Sequence, residues 1–370
     1  MTPDPVTPSA ADAREAAPRR QLIGQGLLIA ALLGTALIGI SPAPYVIERP
    51  GPVYDTLGDT TVDGETLPVI EVDGADSFPT DGRLDLLTVY IDGSRENPID
   101  WFEVVGAWFD PRRALLPIDA VFPPGQTDAE SDEKSERDMS VSQSSAVAAA
   151  LTQLGIPFDS TVVVDLVSEG DPADGVLEPD DEVLTVAGVE VATDAELRDA
   201  IADAGVGARI ELGIRRDGAE RTVSLTTVAR SDDDDTPIIG IAPRIEYTFP
   251  FDVMIHLPDV GGPSAGMMFA LGIYDTLTPG ALTGGEHIAG TGTVDAEGEV
   301  GAIGGIRQKM IGASDAGADW FLAPTANCTD VVGHVPDGLE VFAVSRLDEA
   351  VDIVAAIGEG ASTAAFARCT

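Results

Sequence analysis

The sequence predicts a multidomain α+β protein with one N-terminal membrane helix. An uncharged apolar stretch covers residues 22–40, and residues 44–127 alternate short apolar runs with Gly, Pro and Asp turns. From residue 246 onward, Gly- and Ala-rich apolar segments alternate between strand-like and helix-like patterns, which indicates an α/β domain. A chain of 370 residues is long enough for two or three domains in addition to an anchor.

The apolar stretch LIGQGLLIAALLGTALIGI has 19 residues and no charge, about the length of a helix that crosses a bilayer. Arg14, Arg19 and Arg20 precede it. By the positive-inside rule, we expect residues 1–21 in the cytoplasm, a single-pass anchor at residues 22–41, and the rest of the chain on the outer side of the cell membrane. A cleaved signal peptide is the alternative, but the run is long for one and the prolines of SPAP disfavour a cleavage site.

The formal net charge is -42, with 63 acidic residues against 21 basic ones. Because nucleic-acid binding needs a surplus of Lys and Arg to displace counterions, this balance excludes a nucleic-acid partner. An acidic, well-solvated surface is the simplest interpretation of the charge. The sequence has neither a CxxC pair nor a His/Cys cluster, so we expect no metal and no other cofactor.

Short apolar runs such as LPVIEV and GRLDLLTVYIDG indicate that residues 44–127 form a β-rich, membrane-proximal module. Residues 128–138 are polar, charged and free of apolar periodicity. That pattern predicts a linker between the module and the next domain.

Residues 139–245 show the pattern of a second, mostly β domain. STVVVDLV is typical of a strand, Thr193 and Glu196 form a capping box before an amphipathic helix, and Asp217-Gly218 closes a hairpin. With Pro172-Ala173 and the run LEPDD, this order resembles a bacterial PDZ domain.

The resemblance implies a peptide-binding site in the segment PIIGIAP, at Ile239, Gly240 and Ile241. Backbone amides there would hold a partner's C-terminal carboxylate while the sheet edge accepts the peptide as a strand. A PDZ-like fold that serves only as a spacer is the alternative.

The segment DVGGPSAGM (residues 259–267) places Ser264 among glycines and an alanine, just before an apolar run. Pro263 suits the first turn of a helix, so we expect Ser264 at a helix N-terminus, with the backbone N–H groups of Gly262 and Ala265 able to stabilise an oxyanion. The same pattern is also typical of an ordinary N-cap. A serine nucleophile needs a base that accepts its proton.

Lysine usage indicates which residue is that base. Lys134 and Lys309 are the two lysines among 21 basic residues. An arginine would supply the same charge but cannot lose its proton, whereas a lysine in a pocket of low dielectric constant is shifted toward its neutral form. Lys134 lies in the charged segment DAESDEKSERD, so Lys309 is the candidate base.

These motifs resemble the proteolytic domain of the Lon family, serine endopeptidases with a Ser–Lys dyad. GPSAG matches the nucleophile motif around Ser264, GGIRQK matches the motif that ends in the dyad base, Lys309, and Thr291 of AGTGTV matches a threonine that positions the lysine amine. The resemblance implies a proteolytic domain at residues 246–358 and a tail at residues 359–370. Many family members carry an acid three residues before the serine, where this chain has Gly261; Asp259 lies two places earlier.

The order of anchor, PDZ domain and Lon-type domain resembles bacterial membrane-anchored Lon-like proteases with a PDZ domain. The resemblance implies protein or peptide substrates and self-association into a homo-oligomer. No G-x-x-x-x-G-K-[ST] loop occurs in the sequence, so we expect proteolysis without ATP.

Three alternatives stay open on the sequence. A Ser–His–Asp triad would use His256 or His287 with Asp259, although no G-x-S-x-G elbow occurs. A non-catalytic protein would use the PDZ domain to bind partners and the Lon-type domain as a scaffold. Cys328 and Cys369 form either one disulfide or two free thiols.

Overall fold

The computed structural model describes residues 19–62, 64–231, 234–257 and 260–369, with side chains from residue 23 onward. Asp259 therefore lies outside the described residues. The chain divides into two compact units, residues 1–52 with 88–133 and residues 53–87 with 134–370.

The described chain contains α-helices, one 3-10 turn (Thr325–Asn327) and β-strands. The helices are α1 (Arg19–Gly39), α2 (Trp101–Trp108), α3 (Ile118–Val121), α4 (Asp128–Leu154), α5 (Asp194–Ala204), α6 (Gly266–Leu277), α7 (Ile306–Ala316), α8 (Cys328–Val331) and α9 (Leu347–Gly358). The strands are β1 (Tyr45–Asp55), β2 (Asp59–Val62), β3 (Glu65–Pro68), β4 (Ile70–Asp73), β5 (Arg83–Asp92), β6 (Ala114–Pro117), β7 (Asp159–Val167), β8 (Glu182–Val186), β9 (Val189–Glu190), β10 (Arg209–Arg216), β11 (Ala219–Thr226), β12 (Val228–Ser231), β13 (Asp234–Ile238), β14 (Ile241–Thr248), β15 (Asp252–Ile255), β16 (His287–Gly290), β17 (Thr293–Val294), β18 (Val300–Gly301), β19 (Trp320–Pro324) and β20 (Glu340–Val344).

The first unit is built on an antiparallel pair of strands and on helix α2. Strand β1 pairs with β6, with Tyr45 opposite Pro117. Helix α2 begins with a capping box in which Asp100 and Glu103 satisfy each other's backbone N–H groups. Within the described residues, no helix is long and apolar enough to span a membrane.

The PDZ-like region has its own sheet and core. Antiparallel strands lie in the order β11-β10-β8-β7-β14, with α5 packed beside the sheet. The predicted capping box of α5 is confirmed, since Thr193 caps the helix and Glu196 returns the bond. The predicted hairpin turn is confirmed as well: Asp217 and Gly218 both have positive φ angles, as a two-residue turn between β10 and β11 requires.

The predicted proteolytic region is a three-layer α/β structure. Its parallel strands lie in the order β20-β19-β16-β5, and their side chains alternate between two hydrophobic clusters. Ile288 and Leu322 pack with α4, α6 and α9, whereas Ala289 and Phe321 pack with α7 and α8. The sheet is therefore covered on both faces, as is usual for parallel sheets.

The predicted module at residues 44–127 differs from the units of the structure. Residues 53–87 belong to the second unit because β4 pairs with β15, and Arg83–Leu86 of β5 pair with His287–Gly290 of β16. Pairing between distant segments leaves no local signal in the sequence.

The predicted linker at residues 128–138 is wrong, because this segment forms the first part of α4. The second part supplies buried side chains, from Met139 to Leu151, to the core that contains α6. The predicted domain boundary at residue 139 thus divides a helix that packs in the proteolytic region. The PDZ core begins with Val162 in β7.

Candidate active site

Ser264, Lys309 and Thr291 lie together. Lys309 Nζ lies 2.7 Å from Ser264 Oγ and 3.0 Å from Thr291 Oγ1, and the Thr291 hydroxyl donates to the Ser264 carbonyl at 2.9 Å. Lys309 is 2% exposed and Thr291 is fully buried, whereas Ser264 is half-buried. The arrangement therefore opens to solvent on the serine side.

The sheet topology explains how these residues meet. Thr291 follows the carboxyl end of β16, Ser264 precedes α6 on one face of the sheet, and Lys309 belongs to α7 on the other. The carboxyl ends of parallel strands are the usual place for a site in an open α/β sheet. The chain therefore brings its two candidate groups to one strand end from opposite faces.

The nucleophile loop (residues 260–265) differs from the prediction in where the helix begins. Helix α6 begins at Gly266, so Ser264 precedes it by two residues and does not occupy its first turn. A Cβ atom on Gly266 would come 3.0 Å from Ser142 Oγ and 3.1 Å from Val294 N. Close packing thus accounts for the small residue after Ala265, which is itself buried.

The Gly262 N–H is engaged in this structure, which contradicts the prediction that it is available to an oxyanion. It donates to the Ser135 carbonyl of α4 at 2.9 Å. Ala265 lies at the N-cap of α6, beside Ser264.

Two residues near the site carried no signal in the sequence. The Ser142 hydroxyl, from α4, donates to the Pro263 carbonyl at 3.0 Å. The Asn327 side chain accepts a hydrogen bond from the Ile303 N–H and donates one to the Ile303 carbonyl, each at 2.9 Å. Asn327 thereby fixes the segment that leads into α7. A polar residue far away in the chain can be assigned to such a contact only from the fold.

The histidines contact other partners. His256 lies 2.9 Å from Glu71, His287 lies 2.6 Å from Asp85, and His334 Nδ1 lies 3.1 Å from the Val332 carbonyl. Among the described residues, none of these contacts brings a histidine to Ser264. The structure places the two side chains of the predicted dyad within hydrogen-bonding distance, whereas the described histidines contact other groups.

A cleft of about 420 Å³ lies in the PDZ-like region, between α5 and strand β14. It is lined by Leu197 and Ile201 of α5 and by the predicted residues Ile239, Gly240 and Ile241. Strand β14 is at the edge of its sheet, where an extended peptide can add as a further strand.

The same strand leads toward α4. Its Tyr247 contacts Ser145 of α4 and stacks on Phe249 at 5.6 Å. Burial raises the pKa of the Tyr247 hydroxyl to about 12, while the contact with Ser145 acts in the opposite direction.

Comparison with known proteins finds two family matches along the chain. Residues 241–356 match the model of the Lon protease (S16) C-terminal proteolytic domain, and residues 137–227 match the PDZ domain model. The fold and the matches thus define a chain that combines a PDZ-like region with a region similar to the proteolytic domain of Lon proteases. Residues 241–356 are similar to the Lon proteolytic domain, which confirms the resemblance predicted from the motifs.

Curated Lon proteases are similar to part of this chain. Lon protease 1 of Bacillus subtilis is 32% identical over 124 residues, which are 32% of this chain and 16% of that protein. Lon protease 2 of Herpetosiphon aurantiacus is 37% identical over 109 residues, 28% of this chain and 13% of that protein. The chain therefore spans about a sixth or less of the length of these relatives.

Solved PDZ domains also resemble part of the chain. The PDZ domain of an SdrC-like protein from Listeria innocua is 26% identical and covers 22% of this chain and 92% of its own, with a TM-score of 0.21. The PDZ domain of an SdrC-like protein from Listeria monocytogenes is 24% identical, covers 22% of this chain and 85% of its own, and has the same TM-score.

Proposed function

We propose that this chain is an ATP-independent serine endopeptidase that cleaves protein substrates outside the cytoplasmic membrane with a Ser264–Lys309 dyad. One observation carries the proposal: a lysine amine that is 2% exposed lies 2.7 Å from the hydroxyl of a half-buried serine. Burial in general disfavours the ammonium form of a lysine, and the proposed base must accept a proton in its neutral form. The absence of a P-loop motif from the sequence supports proteolysis without ATP.

The geometry supports the following sequence of steps. Ser264 Oγ attacks the carbonyl carbon of the scissile peptide while its proton passes to Lys309 Nζ, which gives a tetrahedral oxyanion. The C–N bond then breaks, and the ammonium returns the proton to the leaving amine. Water attacks the acyl-enzyme in the same way and restores Ser264 and neutral Lys309. One Lys309 N–H donates to Thr291, which directs the nitrogen lone pair toward Ser264.

The backbone N–H of Ala265 is the first candidate donor to the oxyanion. This residue follows the nucleophile directly and lies at the N-cap of α6, where backbone donors converge. In the described conformation, Gly262 contributes only if its bond to Ser135 opens.

The test of the dyad is hydrolysis of an unfolded protein. Ser264→Ala is expected to abolish turnover, and Lys309→Arg to reduce kcat by roughly 100-fold or more, because an arginine cannot accept the proton. Lys134→Arg is the matched control, since Lys134 is exposed and pairs with Asp138 at 2.5 Å. Undiminished hydrolysis by Ser264→Ala or Lys309→Arg would refute the dyad.

The PDZ domain is proposed to recruit substrates or to gate the site. Two observations support this: the cleft lies along β14, and Tyr247 of the same strand contacts α4, which also contacts the nucleophile loop. The rival proposal is a binding protein without turnover. Labelling of Ser264 by a serine-directed covalent probe separates the two, because a scaffold needs no reactive serine.

Anchoring by residues 22–41 is proposed from the sequence, with the N-terminus in the cytoplasm. Two features support it. Large apolar side chains of α1, including Leu27, Leu32 and Leu37, are exposed, and the aromatic residues Trp108 and Phe109 are exposed at the end of α2. The disulfide between Cys328 and Cys369 fits an oxidising, extracytoplasmic compartment. Assembly into a homo-oligomer is proposed by analogy with the Lon family.

A further inference from the structure

Helix α4 contacts two consecutive residues of the nucleophile loop, Gly262 and Pro263. Ser135 accepts from the Gly262 N–H at 2.9 Å, and Ser142 donates to the Pro263 carbonyl at 3.0 Å. The packing is close, because a Cβ atom on Gly261 would come 2.8 Å from Ser135 Cβ. The loop that carries the nucleophile is thus held by a helix from a distant part of the sequence.

The direction of the Ser142 hydroxyl is informative. A serine within a helix usually bonds back to a carbonyl of its own helix, as Ser144 does with Ser140 at 3.1 Å. Ser142 instead reaches out of the helix to Pro263, 121 residues away in sequence. It is 4% exposed, so water offers little replacement for this bond.

The bonded carbonyl is the backbone group directly before Ser264. On the other side of the nucleophile, the Thr291 hydroxyl and the Gly292 N–H both donate to the Ser264 carbonyl, each at 2.9 Å. The backbone of Ser264 is therefore held before and after its Cα atom. The contact before it comes from α4, and the two after it come from the end of β16.

We propose that Ser142 is a positioning residue for the Ser264 nucleophile. By holding the Pro263 carbonyl, Ser142 fixes the backbone orientation that keeps Ser264 Oγ at 2.7 Å from Lys309 Nζ. Displacement of a reacting group by about 1 Å lowers the rate by roughly 100-fold. This inference rests on the proposed endopeptidase function.

The test compares Ser142→Ala, Ser142→Thr and the matched control Ser144→Ala in the full chain, with an unfolded protein as substrate. Ser142→Ala is expected to lower kcat by roughly 5- to 50-fold with KM within about twofold of wild type, because the nucleophile and not the substrate is displaced. Ser142→Thr keeps a hydroxyl donor and is expected to retain a several-fold higher kcat than Ser142→Ala. Ser144→Ala is expected to match the wild type, since its bond stays within α4.

Thermal unfolding of each variant separates positioning from general stability. The proposal requires a midpoint for Ser142→Ala within about 2 °C of wild type, together with slower labelling of Ser264 by a serine-directed probe. A kcat at or above the wild-type value, a parallel loss of kcat and midpoint, or no advantage of threonine over alanine would each overturn it. If Ser264→Ala also hydrolyses the substrate, the endopeptidase proposal itself fails. If Ser264→Ala abolishes hydrolysis but the Ser142 variants behave like wild type, this inference fails and the endopeptidase proposal stands.

Discussion

The two lysines of this chain lie in opposite environments. Lys309 is 2% exposed against Ser264, while the Lys134 side chain is 61% exposed and pairs with Asp138 one helical turn away. The chain uses arginine for most of its basic residues, so a lysine at position 309 already indicated a base. A desolvated lysine can lose its proton, whereas an arginine cannot. The sequence could not predict that the Gly262 N–H donates to the Ser135 carbonyl, because every residue carries a backbone carbonyl.

Asp275 provides a stability prediction at the scale of one residue. It is fully buried in α6; Oδ1 accepts from the Leu282 N–H at 2.8 Å, and Oδ2 has no hydrogen-bond partner among the described residues. Burial raises the pKa of Asp275 to about 6 from an ordinary 3.8, against the opposing effect of the Leu282 N–H. The contribution of this carboxyl to stability is therefore present below about pH 4 and is lost as the pH rises through about 6.

Asp275→Asn removes the ionisation and keeps an oxygen for Leu282. Relative to wild type, the free energy of unfolding of the variant is expected to rise by about 1–2 kcal/mol between pH 4.5 and pH 8, because a pKa change of one unit corresponds to about 1.4 kcal/mol. Denaturant unfolding at several pH values measures this difference. Asp352→Asn, at an exposed position of α9, is the control for loss of one charge. A difference that does not vary with pH would contradict the prediction.

At the scale of elements, α4 is the main disagreement between sequence and structure. Its first half is polar, and its apolar residues are concentrated in the alanine-rich run around residues 146–151, so helical periodicity is hard to detect. Helix α5, by contrast, was predicted from its capping box, because the bonds that define its start lie within four residues. The capping box thus predicted where α5 begins, but local chemistry does not reveal which core a helix joins.

The cleft beside α5 gives a prediction about one loop. Gly240 has a φ of +79°, and a Cβ atom there would come 2.1 Å from Asp171 Cβ, so Gly240→Ala is expected to distort the loop between β13 and β14. We expect at least a roughly tenfold loss of affinity for a peptide with a free, apolar C-terminal residue, because a tenfold change needs only about 1.4 kcal/mol. Fluorescence anisotropy with a labelled peptide measures the affinity.

Two controls accompany the Gly240 variant. Gly218→Ala also introduces a side chain at a positive φ, but in open space at the β10–β11 turn, so peptide affinity should be preserved. The same peptide with an amidated C-terminus should bind weakly to the wild type, because carboxylate capture is lost. Equal affinity for both peptides would contradict carboxylate recognition.

At the scale of the whole molecule, the C-terminal tail is tied to the proteolytic region. The Ala343 N–H donates to the Ala367 carbonyl at 3.0 Å, and the Arg368 guanidinium lies 4.8 Å from the Phe342 ring centroid. The disulfide between Cys328 and Cys369 closes this arrangement, which decides between the two states that the sequence left open.

Cys369→Ser is expected to lower the free energy of unfolding by roughly 2–4 kcal/mol, because the unfolded chain is no longer constrained by the cross-link. Denaturant unfolding with and without reductant measures the loss. Reductant should bring the wild type to the stability of the variant and leave the variant unchanged. A variant as stable as the oxidised wild type would show that the cross-link does not stabilise the fold.

The sequence by itself predicted the candidate chemistry of this protein and several of its local elements. Ser264, Lys309 and Thr291 were predicted from short motifs and residue preference, because a nucleophile, a base and a positioning hydroxyl each require a particular side chain, and the structure places the three together. Only the tertiary structure decided which distant segments are in contact. Residues 83–86 pair with β16, and Ser135 and Ser142 bond to the nucleophile loop. Parallel pairing and contacts to a backbone carbonyl depend on atoms that every residue carries, so the fold alone specifies them.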